Sequence, residues 1–173
     1  MRVHLGADHA AFEAKNELAA VLEAAGHEIV DHGPHVFDPD DDYPVFCLRA
    51  AAAVVADPGS RGVVLGGSGN GEQIVANKVA GVRAALAWSE QTAALAREHN
   101  DANVISVGAR MHDVDTVAAI VRTFLDTHFS QGERHERRIG MITAYERDGV
   151  LPPFPDVPGA ADLTNAVDTD RDA

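Results

Sequence analysis

The sequence predicts an α/β protein: a single-domain, doubly wound (Rossmann-like) five-stranded parallel sheet with helices on both faces. Three observations lead there. Short apolar runs alternate with longer stretches of helical periodicity through to about residue 148. The runs are continuously apolar, as in strands buried on both sides of a parallel sheet. Polar residues gather just beyond the carboxyl ends of those runs, where open α/β sheets bind their ligands.

The elements follow in order. A strand over 2–5 ends at Gly6-Ala7-Asp8-His9. A helix over 11–25 carries Phe12, Leu18, Val21 and Leu22 at helical spacing, and Gly26 closes it. A weaker strand, 27–31, leads into a loop, 32–42, marked by Gly33, Pro34 and Pro39. The next helix, Tyr43–Ala56, has Pro44 in its first turn and stops at Asp57-Pro58-Gly59. A buried strand, 62–65, breaks at Gly66-Gly67-Ser68-Gly69-Asn70-Gly71-Glu72, and a helix runs on from Gln73 through Lys78. A fourth strand (83–87), a helix (90–99), a fifth strand (103–107) stopped by Gly108, and helices over 114–127 and 133–147 complete the pattern. One domain, 1–148, is expected. The tail 149–173, with four prolines and five aspartates, is expected to be extended or disordered.

The totals exclude whole classes of function. The 173 residues suffice for one real core, and 46% of them are apolar. The net charge of −13 argues against nucleic acid and anionic membranes as partners, both of which call for a basic footprint. An anionic ligand would need a local arginine cluster. Cys47 is the sole cysteine, so the chain fits a reducing compartment. The N-terminus enters a strand pattern directly, and no apolar run approaches the ~18 residues of a membrane span. A soluble cytoplasmic protein is expected.

The glycine turn carries the strongest chemical signal. A strand, a glycine turn and a helix start aim backbone N–H groups at an anion. Both nucleotide motifs fail here. Counted from Gly67, the third glycine of a dinucleotide fingerprint falls on Glu72, and Gly71-Glu72-Gln73 replaces the Gly-Lys-Ser/Thr of a phosphate loop. Four glycines exceed what a tight turn needs, so backbone approach to a ligand is the better reading. Glu72 would oppose a phosphate in that cradle, and makes better sense as a base beside a substrate whose phosphate lies elsewhere.

Other motifs are more ambiguous alone. Asp8 is as good an N-cap as a functional acid, and His9 gains weight only from its place at a strand's carboxyl end. His99-Asn100 reads, taken alone, as a helix terminus. Arg134, Arg137 and Arg138 form the densest basic cluster, with Arg134 and Arg138 on one helix face, and paired arginines suit phosphate. The run 38–42 is too imperfect for a calcium loop, having Tyr43 at the glycine position and Arg49 at the last ligand, and reads as solvated. Asp31, His32 and His35 could take a metal only adventitiously, so no metal and no cofactor are expected. Cys47, on an apolar helix, reads as core.

Taken together, Gly6-Ala7-Asp8-His9-Ala10, Asp41-Asp42-Tyr43-Pro44, the 66–72 turn, Ala76-Asn77-Lys78, Glu98-His99-Asn100, Gly108-Ala109-Arg110 and Arg134-His135-x-x-Arg138 resemble the B-type ribose-5-phosphate isomerases, within the group that includes galactose-6-phosphate isomerases. The resemblance spans about residues 1–147. It implies a metal-independent aldose–ketose isomerase of the pentose phosphate pathway that interconverts ribose 5-phosphate and ribulose 5-phosphate through an enediolate. One branch of the family has cysteine where this chain has Gly66; the other, common in actinobacteria, uses the glutamate after the turn, here Glu72.

The same resemblance implies the roles. His99 and Asp8 open the sugar ring. Glu72 moves the proton between C2 and C1. Ser68 and the amides of Gly67, Gly69, Asn70 and Gly71 stabilise the enediolate, an oxyanion-hole arrangement. His9, Arg110, Arg134 and Arg138 hold the phosphate, and Asn100 and His135 complete the substrate site. The last helix serves a neighbouring subunit, so a homodimer or a dimer of dimers with a shared active site is implied. The alternatives are an isomerase of a six-carbon sugar phosphate, a nonenzymatic phosphosugar-binding protein, and a nucleotide-binding module, the last disfavoured by both broken motifs.

Overall fold

The structure, a computed structural model, describes residues 1–155. The expectations for the tail beyond residue 155 lie outside the described residues. Five strands form one sheet in the order β2-β1-β3-β5-β4: β1 (Arg2–Ala7), β2 (Glu28–Asp31), β3 (Arg61–Gly66), β4 (Ala84–Leu86) and β5 (Val104–Gly108). Every neighbouring pair is parallel. The helices are α1 (Phe12–Ala24), α2 (Tyr43–Ala56), α3 (Asn70–Ala76), α4 (Glu90–Asn100), α5 (Val114–Asp126) and α6 (Glu133–Asp148), with a 3-10 turn, His9–Ala11, ahead of α1. The α/β class and the five parallel strands expected from the sequence are those observed.

Alternation along the strands sorts the side chains between two apolar clusters. Val3, Leu5 and Ala7, Val63 and Leu65, and Ile105 and Val107 pack with α1, α4 and α5. Val64 and Val104 point the other way, into a smaller cluster with Cys47, Ala50, Ala51 and Val54 of α2 and Ala76 of α3. Side chains two apart share a face, so these sets follow directly from the strand pleat. On the second face α2 lies close against the sheet. A Cβ on Gly6 would stand 2.9 Å from the Phe46 carbonyl oxygen, and one on Gly62 would stand 2.9 Å from Val54. Cys47 is fully buried in that layer, as expected for a core residue.

The strand order places the switch point between β1 and β3. From β1 the chain leaves through α1 on one face; from β3 it leaves through α3 on the other. The crevice between those diverging connections is where ligands bind in such sheets, and Asp8-His9 and the glycine turn both open into it.

The chain divides into two compact units, Met1–Glu136 and Arg137–Ala173. The first holds the whole sheet. The described part of the second holds the remainder of α6 and an irregular segment, 149–155. Gly149, at φ +68°, ends the helix and donates its N–H to the Tyr145 carbonyl.

Candidate active site

A cavity of about 540 Å³ lies over the carboxyl ends of β1 and β3, lined by Asp8, His9, Ala10, Tyr43, Gly67, Ser68, Gly71, Glu72, Arg110 and Met111. A second cavity of about 410 Å³ adjoins it and shares His9, Ala10 and Arg110 as a common wall. Seven of the residues singled out from sequence meet in the first: Asp8, His9, Gly67, Ser68, Gly71, Glu72 and Arg110.

Glu72 is placed by its helix. The sequence suggests a helix from Gln73, but α3 begins at Asn70, because Gly69 adopts φ +82° and turns the chain into the helix three residues earlier. Glu72 therefore sits in the first helical turn, buried, instead of in the loop. Its carboxylate fills the space beside Gly66: a Cβ there would overlap Glu72 Oε1. Burial raises the Glu72 pKa above the ordinary carboxylate value, and the nearby Asp8 charge adds to this, while the amides of Glu72 and Gly69 oppose it. Asp8 is likewise buried and raised, chiefly by desolvation. It is also an N-cap, accepting the Ala10 N–H at 3.0 Å. The two readings of Asp8 left open by the sequence are thus compatible.

The glycine turn is stitched to its surroundings. Ser106 Oγ donates to the Gly69 carbonyl at 2.7 Å from below. The amides of Ala109 and Arg110 donate to the carbonyls of Gly66 and Gly67 at 2.8 and 3.1 Å. A Cβ on Gly71 would meet the Tyr43 ring at 2.8 Å, so Tyr43 lies against the turn. Asn70 does not line the cavity; its Nδ2 donates to Ser68 Oγ at 3.1 Å, which leaves the Ser68 hydroxyl proton to point elsewhere. Asn77 is structural: it brackets the end of α3 to Ala84 through both its amide oxygen and nitrogen.

Arg110 brings positive charge to the shared wall, and His9 sets a titratable imidazole beside it. The Asp41 carboxylate accepts a hydrogen bond from the His9 amide and faces His9 Nδ1, both at 2.8 Å. The Asp41 contact, followed by the Asp8 and Asp41 charges, raises the His9 pKa; partial burial and Arg110 pull it down. Here the sequence reading needs correction. The acidic run 38–42 reads as a solvated loop, yet only 8% of the Asp41 side chain is exposed. The loop folds over the end of β1 because Asp31 anchors its start, accepting from Lys15 Nζ and from the Gly33 amide. Tyr43, which does line the cavity, is another residue that sequence patterning alone did not single out for a role. Neither residue carries a local signal beyond its short motif, since both acquire their place through the fold of the loop.

The remaining expected residues lie elsewhere. Gly69 and Asn70 support the turn from outside the cavity. His99 and Asn100, at the exposed end of α4, do not line it either. The His99 ring stacks on His135, with centroids 4.4 Å apart and planes within 9°. Arg134 is exposed on the first turn of α6, and Arg138 belongs to the second unit. Asp31 is engaged with Lys15, and among the described residues no cluster of three His, Cys, Asp or Glu could hold a metal.

Comparison with known proteins shows the family and the fold. Residues 3–142 match the model of a family described as Ribose/Galactose Isomerase. The chain is 58% identical over 158 residues to ribose-5-phosphate isomerase B of Mycobacterium tuberculosis, an alignment covering 91% of this chain and 98% of that protein. Among solved structures it is similar to ribose-5-phosphate isomerase B of Clostridium thermocellum, at 39% identity and a TM-score of 0.82, covering 87% and 100% of the two chains. It is also similar to the Mycoplasma genitalium protein solved with bound ribulose-5-phosphate, at 38% identity and a TM-score of 0.81, covering 85% and 97%.

Proposed function

The chain belongs to the ribose/galactose isomerase family, and on that footing we propose that it interconverts ribose 5-phosphate and ribulose 5-phosphate without a metal. The observation that carries this reading is the pairing of a buried carboxylate, Glu72, with a cationic wall, His9 and Arg110, across one cavity. Aldose–ketose isomerisation of a sugar phosphate calls for a base near one end of the substrate and an anion site at the other.

In this reading Glu72 takes the proton from C2 of the open-chain sugar and returns it to C1, while the C2 hydroxyl proton passes to the C1 oxygen. Its raised pKa brings it closer to the working pH, which suits a group that must both accept and release a proton. Charge develops on the adjacent oxygen as the enediolate forms. The Ser68 hydroxyl and the amides of the 67–71 turn meet it, and such preformed donors can each contribute on the order of 3 kcal/mol. The phosphate rests against His9 and Arg110.

Ring opening falls to Asp8 and His99, and the active site is shared between subunits. His99 stands outside its own cavity but stacks on His135, so the two travel as a unit. No residue of α6 is buried. We assign His99, Asn100, Arg134, His135 and Arg138 to the cavity of a partner copy, which makes a dimer the smallest active form. We place the reaction in the cytoplasm, consistent with a single unpaired, buried cysteine.

The test is conversion of ribose 5-phosphate by the purified protein with a chelator present, beside Glu72→Gln. Activity that the variant loses supports the reading. No activity on ribose 5-phosphate, with turnover of a six-carbon sugar phosphate, would replace the substrate; no activity on either would leave a phosphosugar-binding protein.

A further inference from the structure

Asp41 is the one acidic residue of its loop that the fold draws out of water, and both of its hydrogen bonds go to His9. One oxygen, Oδ1, takes the His9 amide and faces the ring Nδ1, each at 2.8 Å. The other, Oδ2, is buried with no hydrogen-bond partner among the described residues. A carboxylate removed from solvent with one bare oxygen is costly unless a positive charge lies against it. The nearest group able to supply that charge is the His9 imidazole.

We propose that Asp41 is a positioning residue that fixes the His9 ring through Nδ1 and holds it as an imidazolium, so that Nε2 presents a charged donor to the substrate's phosphate. This rests on the placement of the phosphate at His9 and Arg110. A histidine with one nitrogen fixed by a carboxylate keeps a single tautomer and orientation when neutral, and is a donor at both nitrogens when charged. A charged donor to a phosphate oxygen is about twice as strong as a neutral one. Asp41 thereby raises the pH up to which His9 adds its own charge to that of Arg110 at the phosphate.

The other charged groups around His9 do not substitute for Asp41. Asp8 also favours the imidazolium but is committed to the Ala10 amide and to the cavity. Arg110, on the same wall, opposes it. Glu13 and Glu17 line the neighbouring cavity with His9 but do not hydrogen-bond to it. A purely structural role is the competing explanation, since the bond to the His9 amide also ties the loop to the end of β1. Asn at 41 separates the two. It keeps an acceptor for the amide and removes the charge.

The experiment follows His9 by ¹H–¹⁵N NMR through a pH titration of the assembled protein, with and without sulfate, a dianion at every pH used. In the wild type the His9 pKa should lie above 6.5 and sulfate should shift the ring resonances. In Asp41→Asn the pKa should fall toward that ordinary value. Sulfate affinity at a pH midway between the wild-type and variant His9 pKa values, and KM for ribose 5-phosphate at that pH, should weaken severalfold to about tenfold. Sulfate affinity should converge with the wild type near pH 5.5, where an imidazole is charged without help. Asp41→Asn made in a His9→Gln background should add almost nothing. An unmoved His9 pKa in Asp41→Asn, or equal weakening at both pH values, overturns the proposal. If the variant does not fold, a wild-type His9 pKa at or below 6.5 overturns it as well. Sulfate that leaves wild-type His9 untouched removes the phosphate placement and this proposal together, while the isomerase reading stands or falls on its own assay.

Discussion

The carboxylate of Glu72 occupies the space that a side chain on Gly66 would need. The two positions are six residues apart in sequence and share one volume in the fold. A side chain at the end of β3 and a carboxylate reaching back from the first turn of α3 therefore exclude each other. The branch distinction that the family resemblance implies, cysteine at one position or glutamate at the other, would have a steric basis in this exclusion.

Gly66→Ala should accordingly damage catalysis while sparing the fold. The methyl group must displace the Glu72 carboxylate from its seat, and a misplacement of about 1 Å can cost about a hundredfold in rate. Turnover and a melting curve on the same preparation check this. A variant with near-normal turnover would mean that the carboxylate works from a different position.

Glu72→Gln should lower turnover by about 10²–10⁴-fold, the range for removal of a general base. The fold should survive, because the amide is isosteric and removes a charge from a buried site. Thermal unfolding at pH 8 should show a melting temperature equal to or above that of the wild type.

The pH dependence follows from the direction of the shifts. Glu72 must be ionised to act as a base, and burial raises its pKa, as it does that of Asp8. The acid limb of kcat/KM should therefore lie at higher pH than for an exposed carboxylate, and its midpoint belongs to the interacting pair. Stability has the opposite sign from a salt-bridged acid. The folded state binds the proton more tightly than the unfolded chain, so stability falls as pH rises from the ordinary carboxylate pKa through the raised one. Denaturant titrations across that window should show the fall, and Glu72→Gln should flatten it.

Cys47 should be chemically silent in the folded protein. It is fully buried, and burial pushes its thiol pKa far above the ordinary value. Iodoacetamide should leave native activity unchanged and label the thiol only after unfolding. Rapid loss of activity on alkylation would contradict the core assignment.

The proposed sharing of the site between subunits makes a stoichiometric prediction. Glu72→Gln and Arg138→Ala, each inactive alone, should recover activity when their subunits exchange. Random pairing gives hybrids in half the dimers, each with one intact site, so about a quarter of wild-type activity should return. Verified exchange without recovery would return the phosphate site to a single chain.

Much of this architecture is legible in the chain because its causes are local. Continuous apolar runs mark β1, β3 and β5, and the polar residues at their ends mark the crevice. The start of α3 is displaced because Gly69 in a left-handed conformation begins the helix sooner than composition suggests. Asp41 escapes notice for a different reason. Four aspartates and a proline in five residues look hydrated, and only the anchoring of Asp31 by Lys15 and the Gly33 amide turns one of the four inward. The placement of His99 outside its own cavity is equally invisible, since a helix terminus reads the same whichever chain it serves.

The ties that hold the glycine turn bear on how long the site persists. Ser106 grips it from β5, and the amides of Ala109 and Arg110 extend the β3–β5 ladder past the strands' formal ends. The turn is thus the last rung of the sheet, although its composition is that of a flexible linker. Its amides are set when the sheet forms and released when the sheet breaks. The entropy of ordering them is met once, during folding, and not again with each substrate molecule that arrives.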